Sequence, residues 1–98
     1  MVERRQALRA RYLDVIVGLA DECMALTRFR EARECLERGL RLDPLREDLQ
    51  ERMMRALAGM GRRQEAVEHY RQYRALLRGR LGLEPPEALQ LQYARLID

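Results

Sequence analysis

A self-similarity at an offset of 34 residues constrains the fold of this chain more than any other feature of its sequence. The junction Arg30-Glu31-Ala32 recurs as Gln64-Glu65-Ala66. Apolar positions also align with apolar ones and turn with turn: Leu19 with Met53, Cys23 with Leu57, Leu36 with Tyr70, and Thr27 with Gly61. Because a repeat of this length is typical of helical hairpins that stack, the sequence predicts two similar units packed on each other.

Apolar residues recur at steps of three and four along nearly the whole chain, which predicts an all-α fold with short connections. The five expected helices are a long first helix through Leu8 and Cys23, a second from Phe29 to about Leu42, a third from Asp43-Pro44 to Gly61, a fourth from about Arg62 to Leu81, and a fifth from Glu87 to Ile97. At the start of the third, the Asp43 carboxylate is expected to cap the helix and Pro44 to occupy its first turn.

The first helix is apolar over more than half of its circumference. The stripe that defines it, and that is expected to face the core, consists of Leu8, Tyr12, Ile16, Leu19 and Cys23. A second stripe beside it consists of Leu13, Val17, Ala20 and Met24. The second stripe also needs a cover, either from the last helix or second hairpin of the same chain or from another chain in a dimer. Burial within the fold is the favoured alternative.

The period of 34 residues is that of tetratricopeptide repeats. In such a hairpin the small Ala32 and Ala66 allow two antiparallel helices to approach closely, and Leu36 and Tyr70 fill the space one turn later. We therefore expect one domain over residues 1–98, built of tetratricopeptide-like hairpins in a right-handed α-solenoid. Its parts are repeat one at about 13–46, repeat two at about 47–80, and a C-terminal capping helix at about 86–97.

A longer set of segments is more specific than the period. These segments are Leu42-Asp43-Pro44-Leu45-Arg46-Glu47-Asp48, Met54-Arg55-Ala56-Leu57, Gly61-Arg62-Arg63-Gln64-Glu65-Ala66, Tyr70, and Leu81-Gly82-Leu83-Glu84-Pro85. Together they resemble the bacterial transcriptional activator domain, the tetratricopeptide-like module that follows the winged-helix DNA-binding domain in SARP-type regulators. The resemblance covers about residues 5–97.

The resemblance implies a regulatory module that makes protein contacts and performs no catalysis. The partners it implies are the chain's own winged-helix DNA-binding domain, RNA polymerase, or a second copy in a homodimer. The winged helix does not precede the first helix here, so the sequence is either an excised domain or a stand-alone protein. A free-standing tetratricopeptide adaptor or assembly scaffold unrelated to transcription is the alternative, since the fold serves that role equally well.

The concave surface of a tetratricopeptide array is lined mainly by the first helix of each hairpin. The residues expected there are Asp14, Val17, Asp21 and Met24 from repeat one and Asp48, Glu51 and Arg55 from repeat two. We expect this surface to receive a partner segment, with Val17 and Met24 as apolar anchors and the carboxylates pairing with basic side chains. The alternative is that two repeats curve too little to make a groove and that the final helix covers this face.

A basic face is predicted on the fourth helix. It consists of Arg63, Arg71, Arg74 and Arg78. These side chains could contact DNA phosphates when a DNA-binding domain is docked. A solvated face with partial ion pairing is the more common outcome for such a pattern, and direct nucleic-acid binding by this chain alone is not expected.

The sequence gives little indication of a metal, cofactor or substrate site. Two cysteines twelve residues apart and one histidine do not make a zinc site, and no glycine-rich phosphate loop is present, so no metal, cofactor or small-molecule substrate is expected. His69 is interpreted as a surface residue. The polar start of the chain resembles neither a signal peptide nor a membrane span, which predicts a cytoplasmic protein with reduced thiols.

Overall fold

The computed structural model describes residues 2–98 and folds them into five helices without a strand in that range. They are α1 (Val2–Ala25), α2 (Phe29–Leu42), α3 (Glu47–Gly59), α4 (Arg63–Leu81) and α5 (Glu87–Ile97). The helices α1 and α2 form one hairpin and α3 and α4 a second, α1 also packs on α3, and α5 packs on α4. The predicted all-α, tetratricopeptide-like fold is confirmed. None of these five helices is both long and apolar enough to cross a membrane.

The turns of the two hairpins are built alike, as the repeat predicts. Thr27 has a φ of 57° and Gly61, which lies 34 positions later, has a φ of 75°. Each turn then closes with a bond from a backbone N–H to the carbonyl five residues earlier: Arg28 to Cys23 at 2.7 Å and Arg62 to Leu57 at 2.9 Å. The left-handed turn is therefore a property of the repeat, although only the second one has the glycine that such a φ favours.

The third helix begins later than its sequence suggested. Asp43 follows the end of α2, and its Oδ1 accepts a hydrogen bond from the backbone N–H of Leu45 at 3.2 Å. This carboxylate closes a turn over residues 43–46, so it is not free to cap a helix, and α3 starts only at Glu47. The prediction that Asp43-Pro44 opens the third helix is wrong.

The core consists of two clusters. The larger lies between the hairpins, and its buried members are Leu13, Ile16, Ala20, Ala32, Leu36, Leu49, Met53, Ala56, Leu57 and Ala66. The smaller fixes α5 to the second hairpin and contains Met54, Tyr70, Tyr73, Leu77 and Leu89. Ala32 and Ala66 are completely buried, in agreement with the close helix approach predicted for them.

The face that α1 turns to the core differs from the predicted one. Three members of the stripe expected there are exposed: Leu8 by 56%, Tyr12 by 45% and Leu19 by 47%. The second stripe supplies most of the core face, since Leu13 and Ala20 are buried and Val17 and Met24 pack partly against them; of the first stripe, Ile16 and Cys23 reach the core. A helix that is apolar over more than half of its circumference does not reveal by its periodicity which face is covered, because contacts with α2 and α3 decide that.

Candidate functional site

The surface shared by α1 and α3 holds the seven residues predicted for the concave side. We call it the inner face: Asp14, Val17, Asp21 and Met24 on α1, with Asp48, Glu51 and Arg55 on α3. Two arginines, Arg46 directly before α3 and Arg52 within it, connect the two helices across it. The acidic residues of the inner face, which were expected to pair with basic side chains of a partner, are therefore already part of a network of ion pairs within the chain.

Arg52 makes the most complete of these connections. Its Nε lies 2.7 Å from Asp21 Oδ1 and its Nη2 lies 3.1 Å from Asp21 Oδ2, so the guanidinium donates to both oxygens of one carboxylate. Its Nη1 also donates to the carbonyl of Asp48 at 3.1 Å. The hydrogen bond from Arg52 lowers the pKa of Asp21 below its usual range, against the opposing effect of burial. A bidentate ion pair of this kind fixes the relative orientation of the two side chains in addition to pairing their charges.

Arg46 forms the second connection, at the start of α3. Its guanidinium hydrogen-bonds the carboxylate of Asp14 on α1, and its Nε lies 2.8 Å from Asp48 Oδ1. The hydrogen bonds that Arg46 donates to Asp48 and Asp14 raise the already high pKa of this arginine. Asp14 and Asp21 of α1 are thus each paired with an arginine in or next to α3, which ties the two hairpins together.

Two shallow hollows lie beside this network. One, of about 550 Å³, opens between Met24, Phe29 and Gly59 and is bordered by Asp21, Arg52 and Arg55. The other, of about 400 Å³, is shared between α3 and the start of α5, where Pro86, Ala88 and Leu89 line it. The row formed by Arg52 and Arg55 separates the two hollows, so a partner segment crossing it could fill both.

The final helix borders the inner face and leaves it open. Gln92 of α5 donates to the carbonyl of Glu51 at 3.1 Å, which places α5 along one edge. Asp14 and Arg55 remain exposed, with 68% and 51% of their side chains accessible. Arg55 makes only one pair, to Glu51 on its own helix at 3.0 Å. These two residues are the charged groups of the inner face that are most available to a partner.

The predicted apolar anchors are less available. Val17 and Met24 both pack partly against the larger core cluster, so each offers only one side to the surface. Phe29 adds apolar surface to the same hollow.

Sequence reasoning missed Arg46 and Arg52, the two residues that organise the inner face. They lie 32 and 31 positions after their aspartate partners. The signal was present: because first helices of adjacent repeats lie side by side, opposite charges slightly less than one period apart are placed to meet.

The basic face of α4 is occupied by the C-terminal helix. Arg63 donates to the backbone oxygens of Leu96 and Asp98 at the end of α5. Arg71 donates to the hydroxyl of Tyr93 at 3.3 Å. The structure thus places this part of the predicted face against α5.

The other two arginines of this face also have partners nearby. The guanidinium carbon of Arg74 lies 5.6 Å from the ring centre of Tyr70 and 5.7 Å from that of Tyr93, which are stacked 4.2 Å apart. Arg78 pairs with Glu84, before α5, at 2.7 Å. Cation–π contact and ion pairing hold these side chains along the seam between α4 and α5.

His69 is half-buried rather than a surface residue. It hydrogen-bonds Oε1 of Gln50, whose Nε2 donates to the carbonyl of Pro44 at 2.6 Å. Burial, helped by the charge of Arg33, lowers the pKa of His69. The interpretation of His69 as a surface residue is therefore wrong, and the residue is part of a polar link between α4 and α3.

Comparison with known proteins gives one family. The family model described as bacterial transcriptional activator domain matches residues 1–97. No curated protein and no solved structure matches the chain.

Proposed function

Because this chain belongs to the bacterial transcriptional activator domain family, we propose that it is a protein-interaction module of a transcriptional activator that docks a partner segment on its inner face. The observation that carries this proposal is the pair of hollows on either side of Arg52 and Arg55. An extended or helical segment lying across that row would place apolar side chains in both hollows and an acidic side chain beside Arg55.

The pairing within the inner face supports docking rather than catalysis. Arg52 and Arg46 neutralise the aspartates around them and hold them in fixed positions. A pre-formed surface of this kind loses little conformational freedom when a partner binds. We therefore assign the chain a regulatory role without catalysis, in a cytoplasmic regulator.

Family membership supports three partners: a winged-helix DNA-binding domain of the same regulator, RNA polymerase, and a second copy of the chain. We assign the inner face to one of the first two. Direct DNA contact by the chain alone receives less support, because Arg63, Arg71, Arg74 and Arg78 each have a partner in or next to α5.

Charge reversal at the inner face tests the proposal. The chain, Arg55→Glu and Asp14→Arg are titrated by calorimetry with a purified winged-helix domain of a SARP-type activator and, separately, with RNA polymerase. We expect at least one variant to weaken binding by about tenfold, equivalent to ~1.4 kcal/mol.

Arg38→Glu provides the matched control, since it makes the same charge change on the exposed side of α2. It should bind like the parent chain. Equal binding by all four proteins would mean that the inner face is not the docking surface, and circular dichroism of each variant would confirm that its helices are intact.

A further inference from the structure

A second surface, on the opposite side of α1 from α3, is apolar and uncovered. It consists of Leu8, Tyr12, Val15 and Leu19, which follow one another at steps of four, three and four residues. We call this set the end stripe. Its members are between 45% and 58% exposed, and no other helix among residues 2–98 covers them. Steps of four and three in alternation place all four side chains on one line along a helix.

The corresponding residues of the second repeat show what this surface contacts when two repeats stack. At the offset of 34 residues, Val15 corresponds to Leu49 and Leu19 to Met53. Leu49 and Met53 are buried, with 0% and 2% exposure, in the cluster that joins the second hairpin to the first. The end stripe is thus the stacking surface of repeat one. Among residues 2–98 no further unit stacks on this surface, and its side chains are apolar and exposed.

The order of residues in the end stripe favours a second copy of the same helix as its cover. If two α1 helices lie antiparallel with residues 13 and 14 at the two-fold axis, Leu8 of one copy meets Leu19 of the other and Tyr12 meets Val15. Each of the four side chains then lies opposite an apolar side chain of the other copy. Such closed, self-complementary pairing is what a two-fold interface requires.

The charges of α1 favour the same antiparallel arrangement. Residues 3–11 contain four arginines and one glutamate, whereas residues 12–25 contain three acidic residues and no basic one. Arg4, four residues before Leu8, and Glu22, three residues after Leu19, flank the stripe on the same side of the helix. In the antiparallel pair Arg4 lies within one residue of the level of Glu22 in the other copy. A parallel pair would instead place like charges together.

We propose that two copies of this chain associate through antiparallel pairing of their α1 helices, with the end stripe at the centre and Arg4–Glu22 pairs at its edges. This deepens the interaction role proposed above and names a partner, but it uses a different surface. Dimerisation and inner-face docking can therefore fail separately. The stripe spans only ~17 Å at 1.5 Å per residue, so the dimer is expected to dissociate on dilution.

The first test measures solution mass by light scattering from low micromolar to near-millimolar concentration. The parent chain should rise from 11.6 kDa towards twice that value. Val15→Glu, which places a charge at the centre of the stripe, should stay monomeric at every concentration. Leu91→Glu makes a like change at a residue of α5 that is 54% exposed, and it should dimerise normally. Because Val15 is 58% exposed, its variant should keep the parent's helical content and thermal midpoint.

The second test fixes the orientation. Arg4→Glu and Glu22→Arg should each raise the dimer dissociation constant by several-fold, and the double variant should restore the parent value. Arg55→Glu, on the inner face, should dimerise like the parent. A chain that stays monomeric throughout, a Val15→Glu variant that still dimerises, or charge variants that behave like the parent would each overturn the proposal. The proposal would also be overturned if the chain were monomeric and its end stripe became protected from solvent only when a winged-helix domain was added.

Discussion

The contact between the hairpins at Gly59 leads to a prediction with a clear sign. A Cβ added at Gly59 would lie 2.6 Å from Cδ1 and Cε1 of the Phe29 ring, closer than side chains approach one another. Phe29 begins α2 and Gly59 ends α3, so the ring packs on the backbone of the other hairpin. Replacing Gly59 by alanine must displace either the ring or the end of α3.

The magnitude follows from comparison with Gly79. A Cβ at Gly79, also near the C-terminal end of its helix, meets nothing within 4 Å. Gly79→Ala should therefore gain up to about 1 kcal/mol from helix propensity alone. Gly59→Ala gains no more than this and bears an overpacking cost of about 1–3 kcal/mol. We expect the free energies of unfolding of the two variants to differ by about 1–3 kcal/mol, with Gly59→Ala the less stable.

Urea denaturation followed by circular dichroism measures this difference directly, because both variants have the same composition and nearly the same unfolded state. A third protein, Gly59→Ala combined with Phe29→Leu, shows whether the ring is the cause: the smaller side chain should reduce the penalty of the alanine. If Gly59→Ala were as stable as Gly79→Ala, the ring would not pack on Gly59, and the argument for a fixed junction between the repeats would fail.

Two further predictions concern pH. The hydrogen bond from Arg52 lowers the pKa of Asp21, so the Asp21–Arg52 ion pair stabilises the folded state above the usual pKa of an aspartate. This stabilisation is lost as pH falls through the lowered pKa of Asp21. A double-mutant cycle with Asp21→Asn and Arg52→Met should give a coupling of about 0.2–1 kcal/mol at pH 7, because the carboxylate is 44% exposed, and near zero at low pH. For His69, burial lowers the pKa, so the folded state binds fewer protons than the unfolded one. Stability should decline as pH falls below the usual histidine pKa of about 6.5, and His69→Gln should remove the part of that decline between pH 7 and 5; an unchanged profile would contradict the burial of this ring.

The sequence predicted those features that repeat or that local chemistry dictates. The five helices follow from apolar spacing, and Gly61 adopts the left-handed turn expected where α3 gives way to α4. The same periodicity could not orient α1, because that helix has apolar residues on several faces and only packing selects among them. Asp43 shows a similar limit, since an aspartate before proline suits a helix cap and a turn equally well.

For the inner face, the sequence indicated which residues lie near one another but not how they pair, and binding of a partner there stays a prediction. Helix position within the repeat was sufficient to assemble Asp14, Asp21, Asp48 and Glu51 on one face. The charge spacing that pairs Arg46 and Arg52 with them was present in the sequence, but only the packing of α3 on α1 shows which charges meet. The exposure of the end stripe likewise became visible only when the rotation of α1 was known.

The pattern of helix contacts has a consequence for the order in which the chain folds. Each helix packs mainly on its neighbours in sequence, and the most extensive contact beyond these joins α1 to α3. Closing such short segments costs little chain entropy, so a chain of this topology should fold rapidly, as proteins with local contacts do. Because α5 packs chiefly on α4, it can open without breaking the junction between the hairpins. Unfolding is therefore expected to begin at the C-terminal end, and amide hydrogens of α5 should exchange before those of α2 and α3.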